Sequence, residues 1–144
     1  MATGVQVVFD CADPSLLAGF WAKALGYILE PPPEGWSTWE EWAVAHDIPE
    51  SEWYDAASVV DPDGKGPRIY FQQVPEGKVV KNRVHLDVNA GGPRGTPPEE
   101  RRPRVDAMVE RLTGEGATLV RRVEKLGEYW VVMQDPEGNE FCLQ

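Results

Sequence analysis

The sequence predicts an α+β fold assembled from two tandem βαβββ modules, and three observations carry that prediction. The turn Asp61-Pro62-Asp63-Gly64 returns as Asp135-Pro136-Glu137-Gly138, each time after an apolar stretch and before a short alternating strand. A strand-like run with an inner Asp, Val5 to Cys11, returns as Arg83 to Asn89, and an amphipathic helix follows each copy. The length of 144 residues suits one ordinary domain and is too short for two independent cores, so the copies are expected as halves of one domain. Asp-Pro-x-Gly alone is only a turn signal, and its repeated surroundings give it weight.

The first module spans residues 1–77. After the strand at Val5–Cys11, a helix is expected from about Ser15 to Leu25, with Asp13 or Ser15 as cap, Pro14 at an early position and Gly26 as stop. Strands follow at Tyr27–Leu29, Ala57–Val60 and Arg68–Gln73. They are interrupted by an insertion at about 31–56, where Pro31-Pro32-Pro33 breaks regular structure and four of the six tryptophans gather: Trp36, Trp39, Trp42 and Trp53. Ser37 with Glu40 fits a capping box, and Trp39, Trp42, Ala43 and His46 recur at i, i+3, i+4 and i+7 along one helix face. Two readings stand for this helix. It closes an open end of the sheet by packing alone, or it forms an aromatic wall in which Trp39 and Trp42 contact a planar or cationic ligand.

The second module, residues 78–144, opens with the strand at Arg83–Asn89. Its helix is expected from about Pro103 to Thr113, with Val105, Met108, Val109 and Leu112 on one face. Strands follow at Thr118–Val123, Tyr129–Met133 and Glu140–Gln144, and the Pro-, Gly- and Arg-rich stretch Gly91 to Arg104 reads as a surface loop.

Side chains alternate across a strand, which splits each key strand into two faces. Val7, Phe9 and Cys11 oppose Gln6, Val8 and Asp10; Ile69 and Phe71 oppose Arg68, Tyr70 and Gln72. In the second module Val84, Leu86 and Val88 oppose Arg83, His85 and Asp87, while Phe141 and Leu143 oppose Glu140, Cys142 and Gln144. One face of each strand suits a core against the helices. The other is too polar for a dry core and faces either solvent or a wet cavity.

This order of elements, with Phe20-Trp21, Leu25-Gly26-Tyr27 and Asp135-Pro136-Glu137-Gly138-Asn139 at their places in it, resembles the vicinal-oxygen-chelate superfamily. That superfamily includes glyoxalase I, the fosfomycin and bleomycin resistance proteins and the extradiol dioxygenases. Lys81-Asn82-Arg83-Val84-His85-Leu86-Asp87 is similar, more narrowly, to glyoxalase-like proteins common in actinobacteria. The resemblance covers nearly the whole chain apart from the insertion. It implies a curved mixed sheet around a pocket lined by the polar faces, and a homodimer as one possible assembly. Metal-dependent members carry one His or Glu on each of four strands, and the matching positions here are Gln6, Tyr70, Arg83 and Cys142. That is a poor divalent set, because Arg is permanently cationic and brings no lone pair. No metal cofactor is therefore expected at the usual place.

His85, Asp87 and, at the repeat-equivalent position, Asp10 leave three readings open. They form an internal hydrogen-bond network with Arg83, a proton-transfer group centred on His85, or a displaced divalent metal centre. Two functions follow. One is a small-molecule-binding protein that sequesters a neutral or cationic aromatic ligand, using Gln6, Tyr70, Gln72, Arg83, Cys142, Trp39 and Trp42. The other is a lyase or isomerase of glyoxalase type, in which His85 moves a proton with help from Asp87 or Asp10.

Charge and composition narrow the field. The net charge is −10 with 42% hydrophobic residues and a mean hydropathy of −0.41. A nucleic-acid partner is not expected, since duplex affinity rests on basic residues. Nor is a membrane partner: no apolar run approaches the roughly 20 residues of a span, no signal-peptide pattern is present, and a cytoplasmic location is expected. Residues 1–77 hold three basic and thirteen acidic side chains, whereas 78–144 hold eleven of each. All of the excess acid lies in the first module, where Glu34, Glu40, Glu41, Asp47, Glu50 and Glu52 belong to the insertion. Cys11 and Cys142 are assigned to opposite kinds of face, so no disulfide is expected between them.

Overall fold

Asp13 begins the first helix. Its carboxylate accepts the Leu16 N–H at 3.1 Å, Pro14 stands in the first turn, and Gly26 closes the helix in the left-handed region at φ 69°. The resulting helix α1 (Pro14–Leu25) buries Leu17, Ala18, Phe20, Trp21 and Ala24. In this computed structural model, which describes residues 1–144, these side chains meet the apolar face of a four-stranded sheet. Its strands are β1 (Val7–Cys11), β2 (Ile28–Leu29), β3 (Ala56–Val60) and β4 (Ile69–Gln73), in the order β1-β4-β3-β2. β1 runs parallel to β4, from Val7 opposite Ile69 to Cys11 opposite Gln73; the remaining pairs are antiparallel. The Phe9 ring lies 5.1 Å from that of Trp21 and 5.4 Å from that of Phe71, with Val59 and Ile69 buried beside them. Alternation places Gln6, Val8, Asp10, Arg68, Tyr70 and Gln72 on the other side, as the sequence parity requires.

The insertion supplies a short helix, α2 (Trp39–Ala45), and a 3-10 turn at Glu50–Glu52. The capping box forms one residue later than expected. Thr38, rather than Ser37, is the cap: its hydroxyl accepts the Glu41 N–H at 3.1 Å, and the Glu41 carboxylate accepts the Ser37 N–H at 3.2 Å. Of the expected face, only Ala43 is buried; His46 caps the C-terminus and is exposed.

The second unit repeats the plan with β5 (Asp87–Val88), α3 (Pro98–Gly114), β6 (Thr118–Lys125), β7 (Glu128–Gln134) and β8 (Glu140–Leu143). These strands form a separate four-stranded sheet in the order β5-β8-β7-β6, with β5 parallel to β8 and the other pairs antiparallel. Val105, Val109 and Leu112 of α3 are buried, as are Val131, Met133, Phe141 and Leu143 of the sheet. The repeated turns serve the same purpose in both units. Asp61 accepts N–H groups from Asp63, Lys65 and Gly66, and the buried Asp135 accepts those of Glu137 and Asn139. Contacts divide the chain into Met1–Gly77 and Lys78–Gln144.

Three expectations need correction. β5 is far shorter than Arg83–Asn89, because its ladder begins only where Leu86 C=O accepts the Cys142 N–H. Upstream, the chain is tied by side chains instead: Asn82 N–H donates to the Glu140 carboxylate at 2.9 Å, and Val84 stands 81% exposed rather than in the core. β1 likewise begins at Val7, where Val7 N–H reaches the Arg68 carbonyl, which leaves Val5 and Gln6 outside it. α3 starts at Pro98, so the Arg-rich half of the expected loop is helical and Pro103 lies inside the helix. Pro98 at the N-terminus with Glu99 and Glu100 in the first turn explains that earlier start.

Candidate functional site

The polar face of the first sheet carries a cleft of about 580 Å³ beneath the insertion. Ala56, Ala57 and Ser58 of β3 with Tyr70 of β4 form one wall, and Trp39, Trp42 and Trp53 form another. Small residues on β3 are what leave the space. Two of the indoles are fixed by their own N–H groups, Trp39 Nε1 donating to the Glu30 carbonyl at 2.8 Å and Trp53 Nε1 to the Ile48 carbonyl at 3.0 Å. Trp39 and Trp42 meet edge to face with centroids 5.5 Å apart, and His46 stacks on Trp42 at 4.3 Å. Such oriented rings present faces and edges to a flat ligand with little rotamer entropy left to lose.

At the cleft floor Arg68 is held from several sides. Its Nε and Nη2 donate to Glu30 Oε2 at 2.9 and 2.6 Å, Nη2 also to Ser58 Oγ at 3.2 Å, and Nη1 to Gln6 Oε1 at 2.9 Å. Ser58 and Glu30 are joined by a further short hydrogen bond, and the guanidinium stands 5.3 Å from the centroid of the Tyr70 ring. Burial pushes the Glu30 carboxyl up, but the hydrogen bonds from Arg68 and Ser58 and the Arg68 charge outweigh it and hold it below its ordinary value.

Register builds the cluster in the second unit. Asp87 pairs directly with Cys142, and His85 precedes Asp87 by two residues. His85 Nε2 lies 3.3 Å from Asp87 Oδ1, and one donor atom from each of His85, Asp87 and Cys142 lies within 4.8 Å of the others. Burial raises the Cys142 thiol, and the Asp87 charge and its hydrogen bond with the thiol add to this against the opposing charges of Lys81 and Arg121. At neutral pH the thiol is protonated, which argues against a nucleophile.

The structure therefore brings Tyr70, Trp39 and Trp42 together in one cleft, and His85, Asp87 and Cys142 together in one cluster. Gln6 acts one step back, by holding Arg68. Gln72 and Asp10 are exposed and opposite each other across β4 and β1, outside the lining of the cleft. Arg83 is exposed in the bend before β5 and forms no ion pair; it does not neutralise Asp87, whose partner is His85. Sequence reasoning missed Glu30 and Ser58. Glu30 comes to Ser58 through the pairing of β2 with β3, and Ser58 to Arg68 through that of β3 with β4, and alternation alone gives neither.

The four positions that the resemblance matches to metal ligands carry side chains that suit a divalent ion poorly. The Gln6 carbonyl already faces a cation, the Tyr70 ring lies beside the same guanidinium, and Arg83 has no lone pair to offer. His85, Asp87 and Cys142 form a chemically better set for a borderline ion such as zinc, though binding there would have to displace the thiol proton.

Two consecutive βαβββ modules with polar sheet faces define a protein of the glyoxalase/bleomycin resistance/dioxygenase class, the vicinal-oxygen-chelate superfamily. Within it, the chain belongs to the glyoxalase-like domain family, which it matches over residues 6–144. Solved structures agree on the fold. A possible glyoxalase from Bacillus cereus is 17% identical with a TM-score of 0.61, with 99% of each chain covered. A glyoxalase/bleomycin resistance protein/dioxygenase family enzyme from Burkholderia phytofirmans is 17% identical with a TM-score of 0.60, covering 96% of this chain and 94% of that one. The fosfomycin resistance protein FosX from Mesorhizobium loti is 11% identical with a TM-score of 0.64, covering 100% of this chain and 92% of that one. No curated protein matches the sequence.

Proposed function

We propose that this glyoxalase-like protein binds or sequesters a small neutral or cationic aromatic molecule in the cleft of its first unit. The supporting observation is the cleft itself: about 580 Å³, walled by Trp39, Trp42, Trp53 and Tyr70. That volume lies within the range of small-molecule sites, and its wall is apolar and aromatic with few polar groups, the usual make-up of such a site. Its charged lining is mostly acidic, with Glu30, Glu40 and Glu52 against Arg68, which disfavours an anion. Calorimetric titration with a panel of planar aromatic compounds tests the reading. Binding that weakens about tenfold or more in Trp39→Ala and Trp42→Ala is expected; a panel that never binds, or binding indifferent to both replacements, would overturn it.

The second reading is a lyase or isomerase of glyoxalase type centred on His85, and the 3.3 Å approach of Asp87 to His85 Nε2 favours it. The carboxylate would orient the imidazole through Nε2, leaving Nδ1 to take or give a proton. Turnover lost in His85→Ala with ligand binding retained supports this reading, and unchanged turnover sinks it.

A further inference from the structure

We propose that Arg68 is the specificity-determining residue of the first unit's cleft: a built-in cation filling, at the cleft floor, the place that a divalent metal or a ligand's own positive charge would otherwise take. This rests on the cleft being a binding site and goes further by naming what sets the charge of its ligand.

Three kinds of oxygen converge on one guanidinium: the Glu30 carboxylate, the Ser58 hydroxyl and the Gln6 amide carbonyl. These are hard donors of the type that also surround Mg²⁺, Ca²⁺ and Mn²⁺. Four of the five guanidinium N–H groups are engaged by them, and the positive charge is opposed by Glu30 at 2.6 Å. Arg68 therefore offers an incoming anion almost no free charge. Glu40 and Glu52, which also line the cleft, have no basic partner; Glu40 accepts only from the Tyr54 hydroxyl. The charge preference of the cleft thus depends on Arg68 keeping Glu30 neutralised. Without Arg68, Glu30 becomes a third open carboxylate; without Glu30, Arg68 becomes an open cation.

Calorimetry with four probes on the full chain tests this: quinoline (neutral), N-methylquinolinium (cationic), 1-naphthoate (anionic) and Mn²⁺, each read as a difference from the wild type. Arg68→Met keeps the apolar stem and removes the charge, and should gain about tenfold for N-methylquinolinium and for Mn²⁺ with quinoline unchanged. Arg68→Lys should stay near the wild type for Mn²⁺. Glu30→Gln should change in the opposite sense, gaining affinity for 1-naphthoate. A folded Arg68→Met with wild-type affinity for both cations overturns the proposal. If Arg68→Met does not fold, Glu30→Gln decides: a gain for 1-naphthoate supports it and no gain overturns it. Should quinoline bind no form of the protein while the Mn²⁺ gain appears, the cleft reading fails and Arg68 keeps its place as the built-in cation. Quinoline binding without either cation gain keeps the cleft as a binding site and removes Arg68 as the residue that sets its charge preference.

Discussion

Glu30 and Arg68 are 38 residues apart in sequence, yet their two-pronged hydrogen bond fixes the floor of the cleft. Because Glu30 is held below its ordinary value, the linkage has a definite sign. Its contribution is fully present above the unfolded carboxyl pKa, about 4.3, and is lost as pH falls through the lower folded value. The melting temperature should therefore fall as pH drops below about 4, and Glu30→Gln should remove part of that fall while costing stability at pH 7. A Glu30→Gln melting profile parallel to the wild type from pH 3 to 7 would contradict this. Cys142 carries the opposite sign, since its raised thiol favours the protonated form up to a folded pKa above the unfolded one. Iodoacetamide should label it more slowly at pH 7 to 8 than it labels a free thiol, and Asp87→Asn should speed that labelling. At this scale the site was partly legible. Tyr70, Trp39 and Trp42 followed from strand and helix periodicity, and His85 with Asp87 from alternation. The partners Glu30 and Ser58 did not, because they reach Arg68 through pairings distant in sequence, which periodicity does not encode.

Among the elements, α3 departs furthest from its sequence signal. Its apolar positions Val105, Val109 and Leu112 are as spaced, but the helix extends five residues further toward the N-terminus and carries Pro103 in its interior. Pro103 has no N–H for the Glu99 carbonyl and is exposed, so Pro103→Ala should restore that bond and raise stability by about 1–3 kcal/mol, measured by urea denaturation. A loss of stability would mean that the fixed φ of the ring stabilises the helix more than the missing bond costs. α2 offers the converse test. Thr38→Ala removes the hydroxyl that accepts the Glu41 N–H and should cost about 1 kcal/mol. Since α2 carries two of the indoles that wall the cleft, loss of the cap should also weaken the aromatic binding proposed for that cleft. Strand existence was legible throughout from alternation and the repeated Asp-Pro-x-Gly turns. Strand length was not, because β5 begins only where its ladder with β8 begins, and Val84 stands exposed despite its apolar side chain.

For the molecule as a whole, two units with the same strand plan differ by ten charges, and the excess is confined to Met1–Gly77. The acids of the insertion have little basic charge within their own unit: Lys23, Lys65 and Arg68 are its only Lys and Arg side chains, and Arg68 is engaged by Glu30. Such a balance destabilises the compact state through self-repulsion and is screened by salt over about 8–10 Å at physiological ionic strength. The second unit, by contrast, pairs its charges locally: Arg122 with Asp106 at 2.5 Å, Arg104 with Glu100 at 3.1 Å, and Arg102 with Glu124. Raising sodium chloride from about 10 to 300 mM should therefore raise the melting temperature, through relief in the first unit. Glu34→Lys and Glu50→Lys, both at positions outside the cleft lining, should reproduce that gain at low salt and lose most of it at high salt. The same two changes should weaken binding of a cationic aromatic probe only at low salt, since they alter the field at long range and leave the walls and floor of the cleft intact. A salt-independent melting temperature in the wild type would show that the acids of the insertion are already balanced, and the charge asymmetry would then have no bearing on which ligand approaches.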